Sequence, residues 1–397
     1  MKILIAHNRY QHPGGEDAVV KTEYALLKSY GEDVRLYERN NTEIDSLSPG
    51  EKLKLLFSYR WSQSSYREFK KIIDEFKPDI VHLHNIFFLL TPSVYAACQE
   101  RNIPVVHSQH NFRLLCSNGL FFRENHICEE CLKHTLWRGV RYGCYKNSRI
   151  LTALIVAMID HHWKKGTWLK MVDAFITATE FGKKKFIEGG IPPEKIFVKP
   201  NFLYPDPGKR EKEEGYALYA GRLSEEKGIE ILVRAWQYVS AAPLKVMGDG
   251  PLMERVKNIV KDKKVNNVEF LGFQSKENAA RYMKGARFII VPSLCYESFP
   301  RIIAEAFAYG IPVLASELGT MESLIDDGRT GRLFEPGNER DLAKIAEWMF
   351  GYPEVLELMG VNARQEYENK YSAQKNYQFL KNIYNHAVTE KKKVLSS

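Results

Sequence analysis

Residues 296–316 read YESFPRIIAEAFAYGIPVLAS, a loop, an amphipathic helix and a short apolar strand in direct succession. Pro300 suits the first turn of a helix, where its missing N–H would be unpaired anyway, and is poorly tolerated further in. Glu297 therefore falls in the loop ahead of the helix and Glu305 inside it. Ser298, Phe299 and Arg301 fall at the turn, where free backbone N–H groups point outward and favour an anion. Ile302, Ile303, Ala306 and Phe307 form the stripe expected to be buried. On the residues alone, the two acids could equally be solvated side chains of an ordinary amphipathic helix.

Outward from this segment, strands and helices alternate. Short β-branched runs (KILIAH, DVRLYER, PDIVHLHN, IPVVHSQH, DAFITAT, KIFVKPN) are separated by helical patterns, including Asp17 to Tyr30 and Pro92 to Arg101. A second series follows: YALYAGR, LKVMGDG, NVEFLGF, RFIIVPS and PVLAS. Such alternation predicts doubly wound parallel sheets, an α/β chain of two Rossmann-like domains with ligands beyond the strands' carboxyl ends, in the cleft the domains face. The stretch LYPDPGKREKEEG carries Pro, Gly and charge with nothing to bury, and reads as an exposed linker over 203–215. The expected division is an N-terminal domain over 1–202, a C-terminal domain over 216–370, and a helix with a basic tail over 371–397 that packs back on the N-terminal domain.

Composition agrees with two packed cores: 397 residues, 44% apolar and 12% aromatic. The net charge of +8 favours an anionic partner without choosing among nucleotide, nucleic acid and membrane. Met1 leads straight into a strand pattern, and the longest apolar run, ILTALIVAMI at 150–159, is too short to span a bilayer. The expectation is a cytoplasmic protein.

Three glycine turns follow strands. In YALYAGRLSEEKG, Arg222 stands just past a strand and Lys227 just ahead of a helix, so that two cations could converge on one diphosphate. In VMGDGP, Gly248 and Gly250 would let backbone approach a ligand. HPGGED at 12–17 sets Gly14 and Gly15 before a helix start. None reads GxGxxG or GxxxxGK[ST], which argues against a dinucleotide dehydrogenase and a P-loop enzyme.

The order GRLSEEKG, GDGP, FIIVPS, ESFPRIIAEAFAYGIPVLAS and ELGTMESLIDDGRTGRLFEPG resembles the donor domain of retaining GT-B glycosyltransferases of glycosyltransferase family 4. The Glu-x7-Glu pair is the most specific element. The resemblance implies that Arg222 and Lys227 neutralise the departing nucleotide diphosphate, that Glu305 accepts from the ribose hydroxyls and that Glu297 holds hydroxyls of the transferred sugar. Backbone around Ser298, Phe299, Pro300 and Arg301 would touch the β-phosphate. His110 would be the active-site histidine and Gly15 the N-terminal glycine loop. The family often carries Gly where Ser298 stands. His82, His84 and His107 also lie at strand ends, where a histidine is as often a satisfied structural residue as a catalytic one, and only His110 has a motif behind it.

Four of the six cysteines, Cys116, Cys128, Cys131 and Cys144, lie in an insert at about 112–148. With a C-x2-C step and a reducing compartment, four thiolates around one structural Zn²⁺ are expected, the alternative being reduced or paired cysteines without metal. Cys98 and Cys295 read as buried thiols. The basic aromatic stretches KLKLLFSYRWSQSSYREFKK (52–71) and HHWKKGTWLK (161–170) suggest peripheral contact with an anionic membrane on its inner face, or simply solvated helix faces. No aromatic RNA-binding motif or basic helix repeat points to nucleic acid.

The resulting expectation is transfer of a sugar from a UDP- or GDP-linked donor to a glycan or lipid-linked saccharide acceptor, with no cofactor required for catalysis. A nucleotide-sugar epimerase and a non-catalytic binding protein on the same scaffold are the alternatives.

Overall fold

The computed structural model describes residues 1–11, 14–240 and 242–396. His12 and Pro13 of the HPGGED turn lie outside the described residues, as do the side chains of residues 53, 54, 56, 57 and 394–396. By its internal contacts the chain divides into two compact units: residues 1–119, 129–201 and 374–397 form the first, and 120–128 with 202–373 the second.

In chain order the strands are β1 (Lys2–Arg9), β2 (Asp33–Asn40), β3 (Ile80–Leu83), β4 (Val105–Gln109), the two-residue strands β5 (Phe122–Arg123) and β6 (His126–Ile127), β7 (Ala174–Thr177) and β8 (Ile196–Val198). The second series is β9 (Tyr216–Ala220), β10 (Leu244–Met247), β11 (Val268–Gly272), β12 (Ala286–Val291), β13 (Val313–Ser316) and β14 (Gly331–Phe334).

The first unit holds a six-stranded sheet in the order β2-β1-β3-β4-β7-β8, and its pairings are parallel, with Ile3 opposite Val34 on one side and Ile80 on the other. The second holds another six-stranded parallel sheet, β11-β10-β9-β12-β13-β14. Helices cover both faces of such sheets, so the strands read as continuous apolar runs; Ile3, Leu4, Ile5 and Ala6 are all fully buried. Strand order reverses direction between β1 and β3 in the first sheet and between β9 and β12 in the second. Loops at such a reversal splay apart and leave a crevice. Gly14 and Gly15 follow β1, Arg222 follows β9 and Glu297 follows β12, at those reversals, whereas Gly248 and Gly250 follow the neighbouring β10.

The helix Ala373–Ser396 belongs, from residue 374, to the first unit. Its Leu380, Ile383, Tyr384 and Ala387 join Ile3, Ile5, Val20 and Val106 in one apolar cluster, each large side chain contributing roughly 1.5–3 kcal/mol. Tyr377 stacks on Tyr30 with centroids 3.9 Å apart.

Two irregular segments are held by specific contacts or short elements. Residues 203–215 carry no helix or strand, yet they are tied to the second unit rather than free. Arg364 holds Asp206 bidentately at 2.9 and 2.6 Å, Arg287 holds Glu213 at 2.7 Å, and Glu214 donates its N–H to Gly285 at 2.7 Å. Charged residues of that stretch thus find partners within the second unit. Within the insert, the second unit carries the β5–β6 hairpin and the first carries the short helices Glu130–Lys133 and Arg138–Tyr142.

Candidate active site

In the second unit the site is built on the loops after β9 and β12. Past β9, the backbone of Gly221 and Leu223 bonds to Met247 and Asp249 at 3.0 Å each. A Cβ on Gly248 would lie 1.9 Å from the Gly221 carbonyl oxygen, and one on Gly250 would lie 2.4 Å from that of Leu223. The close approach these glycines permit is thus to the neighbouring loop, which fixes Arg222 from behind. Tyr219 adds a bond from its hydroxyl to the Arg222 carbonyl at 2.7 Å.

Gly228, at φ +67°, is confined more tightly: a Cβ there would lie 1.9 Å from the Pro292 carbonyl oxygen. This contact, with Leu294 N–H donating to Glu226 at 2.9 Å, clamps the β9 loop on the β12 loop and brings two predicted residues together. Lys227 Nζ lies 2.6 Å from Glu297 Oε1, and Ser293 Oγ donates to the same oxygen at 2.7 Å. Burial works against the Lys227 ammonium, but the Glu297 charge outweighs it and the pKa is raised. The cation is therefore permanent at any physiological pH.

Arg222 does not join this pair. Its side chain is 66% exposed and its guanidinium bonds Glu226 Oε1 at 2.9 Å, an ion pair weak enough to exchange for a ligand. Glu305 lies within the helix Arg301–Tyr309 and is held by Arg301, one turn earlier, at 3.3 Å. Pro300 stands one position ahead of that helix as its cap. Phe299 is buried with its ring 5.8 Å from Tyr371, so it anchors the turn that carries Ser298. Glu226, Ser293 and Tyr219 escaped the reading of the sequence, although each lies three or four positions from the residue it serves.

In the first unit, Gly14 caps the helix Gly15–Ser29 and donates its N–H to Asp17 at 2.7 Å, while Asp17 also meets His7 Nε2 at 2.9 Å. His110, beyond β4, places Nε2 at 2.8 Å from His84 Nδ1. Loss of solvent, then the nearby His7 and Lys199, hold the His110 imidazole well below its ordinary range.

The cysteines fall on both units. Cys128 closes the 120–128 segment of the second, whereas Cys116, Cys131 and Cys144 belong to the first. Cys116 hydrogen-bonds Cys131, and the backbone N–H groups of Ser117 and Gly139 also serve the Cys131 sulfur; with Cys116 leading, they bring that thiol down to about 6. Cys144 N–H donates to the Gly139 carbonyl at 3.1 Å. Cys98 and Cys295 are buried, as expected of them.

The two basic aromatic stretches differ. Trp168 is fully buried and Trp163 donates its indole N–H to Leu114 at 3.0 Å, so 161–170 spends its aromatic side chains in the fold. Trp61, in 52–71, is exposed. Among the described residues, no helix is long and apolar enough to cross a membrane.

Residues 203–366 match the family described as Glycosyl transferases group 1, and residues 30–206 match Glycosyltransferase Family 4. An uncharacterized glycosyltransferase of Methanocaldococcus jannaschii is 28% identical over 174 residues, 44% of this chain and 49% of that protein. The D-rhamnosyltransferase WbpZ of Pseudomonas aeruginosa is 29% identical over 160 residues, 40% of this chain and 42% of that protein. The chain thus spans about half the length, or less, of these curated relatives. Anabaena Alr3699/HepE, solved in complex with UDP, superposes with a TM-score of 0.65 at 17% identity, covering 97% of this chain and 100% of that one. Sucrose-phosphate synthase of Thermosynechococcus elongatus gives 0.71 at 17%, covering 98% and 99%. The two-sheet architecture is the GT-B fold.

Proposed function

We propose that the chain is a retaining glycosyltransferase that moves a sugar from a nucleotide diphosphate sugar, UDP- or GDP-linked, to a glycan or lipid-linked saccharide in cell-surface polysaccharide synthesis. The observation that carries this reading is the Lys227–Glu297 pair at the strand-order reversal of the second sheet. There a permanently charged ammonium and a carboxylate occupy the crevice where such sheets bind nucleotides. Relatives that share the matched region are named for sugar transfer, and a neighbour of the same fold is solved with UDP, which supports a nucleotide-sugar donor.

In this reading Lys227, joined by Arg222 released from Glu226, stabilises the charge that grows on the departing diphosphate. Glu297, oriented by Ser293 and Lys227, accepts from sugar hydroxyls as the anomeric carbon becomes positive. Glu305 accepts from the ribose hydroxyls once Arg301 yields it. Backbone at Ser298, Phe299 and Pro300 meets the phosphate. Retention follows if the leaving phosphate takes the acceptor's proton on the face it departs from. On the first unit, His110 and the loop before Gly15 serve the sugar end. Peripheral contact with an anionic bilayer would use 52–71, not 161–170. Thermal-shift measurement with UDP, GDP and ADP tests the donor site: the right nucleotide at a hundred times its Kd should stabilise by roughly 2.7 kcal/mol, and no response to any of them would oppose the reading.

By donor chemistry alone, the thiols of Cys116, Cys128, Cys131 and Cys144 would suit one structural Zn²⁺. Support comes from an all-thiol donor set, from two backbone N–H groups directed at the Cys131 sulfur, and from Gly139, where a Cβ would lie 2.1 Å from Ser117 Oγ and 3.5 Å from Cys131 Sγ. Cys128 is the fourth by its C-x2-C step to Cys131. Four protein ligands leave no open position, so the ion would order the insert and take no part in the transfer.

A further inference from the structure

The loops after β1, β3 and β4, neighbouring strands of the first sheet, converge around one side chain that the transfer reading leaves unused. Arg113, three residues beyond His110 on the β4 loop, sets its guanidinium over two aromatic rings. Phe87, from the loop after β3, lies 5.6 Å away at its centroid, and Tyr145, from the insert, 5.2 Å. Asn111 accepts the Arg113 backbone N–H at 3.0 Å and donates to the Tyr10 hydroxyl, on the β1 loop, at 3.5 Å. Ring contacts of this kind hold a guanidinium in place and leave its N–H edge to other partners.

Among the described residues that edge has none. The Arg113 guanidinium donates no hydrogen bond and makes no ion pair there, and its Nε is buried. Arginines that serve the fold behave otherwise: Arg287 holds Glu213 at 2.7 Å and Arg364 holds Asp206 at 2.6 Å. The acids on the helix Gly15–Ser29 do not take that part. Asp17 is engaged by His7 at 2.9 Å and by the Gly14 N–H at 2.7 Å. The Glu16 carboxyl is pushed up to about 7, with loss of solvent the largest cause and His7 and Arg113 opposing it, so it is only about half ionised at neutral pH. Lys146, with Nζ 5.9 Å from the Tyr145 centroid, brings a second cation to the same aromatic patch. A buried charged donor without a partner is costly, and a bound oxyanion removes that cost.

The planar fork of an arginine matches a carboxylate or a phosphate with two parallel hydrogen bonds. We propose that Arg113 is a specificity-determining residue whose guanidinium takes an oxyanion of the acceptor, the carboxylate of an acidic sugar or the phosphate of a sugar or lipid phosphate, so that the saccharide accepted is an anionic one. That the anion belongs to the acceptor rests on the transferase reading and on the place of Arg113 in the first unit, on the loop that carries His110. That the side chain takes an oxyanion rests on the geometry alone.

Arginine ¹⁵N NMR of the full-length protein reads the site without turnover. The Nε–H signal of Arg113 is identified by its loss in Arg113→Lys and by its proximity to the Phe87 and Tyr145 rings. It should shift on titration with inorganic phosphate or sodium glucuronate and stay in place with galactose or sodium chloride at equal concentration. A response to glucuronate alone assigns the anion to a sugar carboxylate, and a response to phosphate alone to a phosphorylated acceptor. Silence with both overturns the oxyanion site. With whichever nucleotide sugar the wild type turns over, KM for an acidic acceptor should rise about tenfold in Arg113→Met and less in Arg113→Lys, while KM for the donor stays as it was. A wild type that prefers neutral acceptors, or an equal loss with acidic and neutral acceptors in Arg113→Met, overturns the selection. A clear oxyanion response in a protein that transfers to no acceptor would keep the site and overturn its part in transfer.

Discussion

Lys227 and Glu297, seventy positions apart in the chain, meet at 2.6 Å because Gly228 lets the β9 loop rest on the Pro292 carbonyl. The ammonium is thereby held beside the carboxylate before any ligand arrives. If it then stabilises the leaving diphosphate, Lys227→Ala should lower kcat/KM by on the order of 10²-fold or more without loss of the fold. Arg222→Ala should act in the same direction, because its exposed pair with Glu226 contributes little to stability. Steady-state kinetics and circular dichroism of both variants check this; unchanged turnover in both removes the clamp.

The two acids should separate kinetically. Glu305→Gln should weaken nucleoside diphosphate binding, measured by calorimetry, since it would touch the ribose. Glu297→Gln should mainly depress turnover, since it would touch the sugar where charge develops. Equal nucleotide affinity in Glu305→Gln and the wild type contradicts the ribose role.

Gly228→Ala should be disproportionately damaging for so small a change. An alanine there combines a left-handed backbone at φ +67° with a Cβ 1.9 Å from the Pro292 oxygen. A loss of at least about 2 kcal/mol in urea unfolding is expected, whereas Gly351→Ala, with nothing within 4 Å of its Cβ, should be nearly neutral.

Stability should fall in mild acid. Burial holds His82 and His107 at about 3, and His84 and His110 well below their ordinary range. The unfolded chain binds protons at these sites below about pH 6.5 while the folded chain does not, so stability rises with pH across that window. It is fully present above about pH 6.5 and lost as the pH falls towards 3, each imidazole contributing up to roughly 1.4 kcal/mol per pH unit. Urea midpoints at pH 7, 6 and 5 should decline together; flat midpoints over that range contradict buried neutral histidines.

Protein purified under reducing conditions should carry about one equivalent of zinc, with Zn–S distances of roughly 2.3 Å by X-ray absorption. Stripping it should disorder 116–144 and leave nucleotide affinity largely intact. Metal-free protein with a full set of reactive thiols would contradict the site.

Much of this was legible in the sequence because strands buried on both faces leave unbroken apolar runs, as in KILIAH and FIIV, and because Pro300 and the glycine turns mark helix starts and strand ends. The position of Glu297 ahead of a helix and Glu305 within it followed from Pro300 alone. Partners distant in sequence were not legible. Nothing local marks Glu23 and Lys199, 176 positions apart, as a pair, because that contact exists only once the sheet order is set. Gly248 and Gly250 show the same limit: their lack of a Cβ signalled close approach, but the approaching group is a neighbouring loop. Likewise Trp168 reads as amphipathic in HHWKKGTWLK and is buried by the packing around it.

The central claim is that the Lys227–Glu297 site transfers a sugar with retention. The most direct test follows the anomeric protons by ¹H NMR while the wild type and Lys227→Ala act on UDP- and GDP-linked α-sugars in the presence of saccharide acceptors. The account predicts release of nucleoside diphosphate with a new α-glycosidic bond in the wild type and near-complete loss of both in the variant. A β-linked product, or equal transfer by the variant, would contradict it.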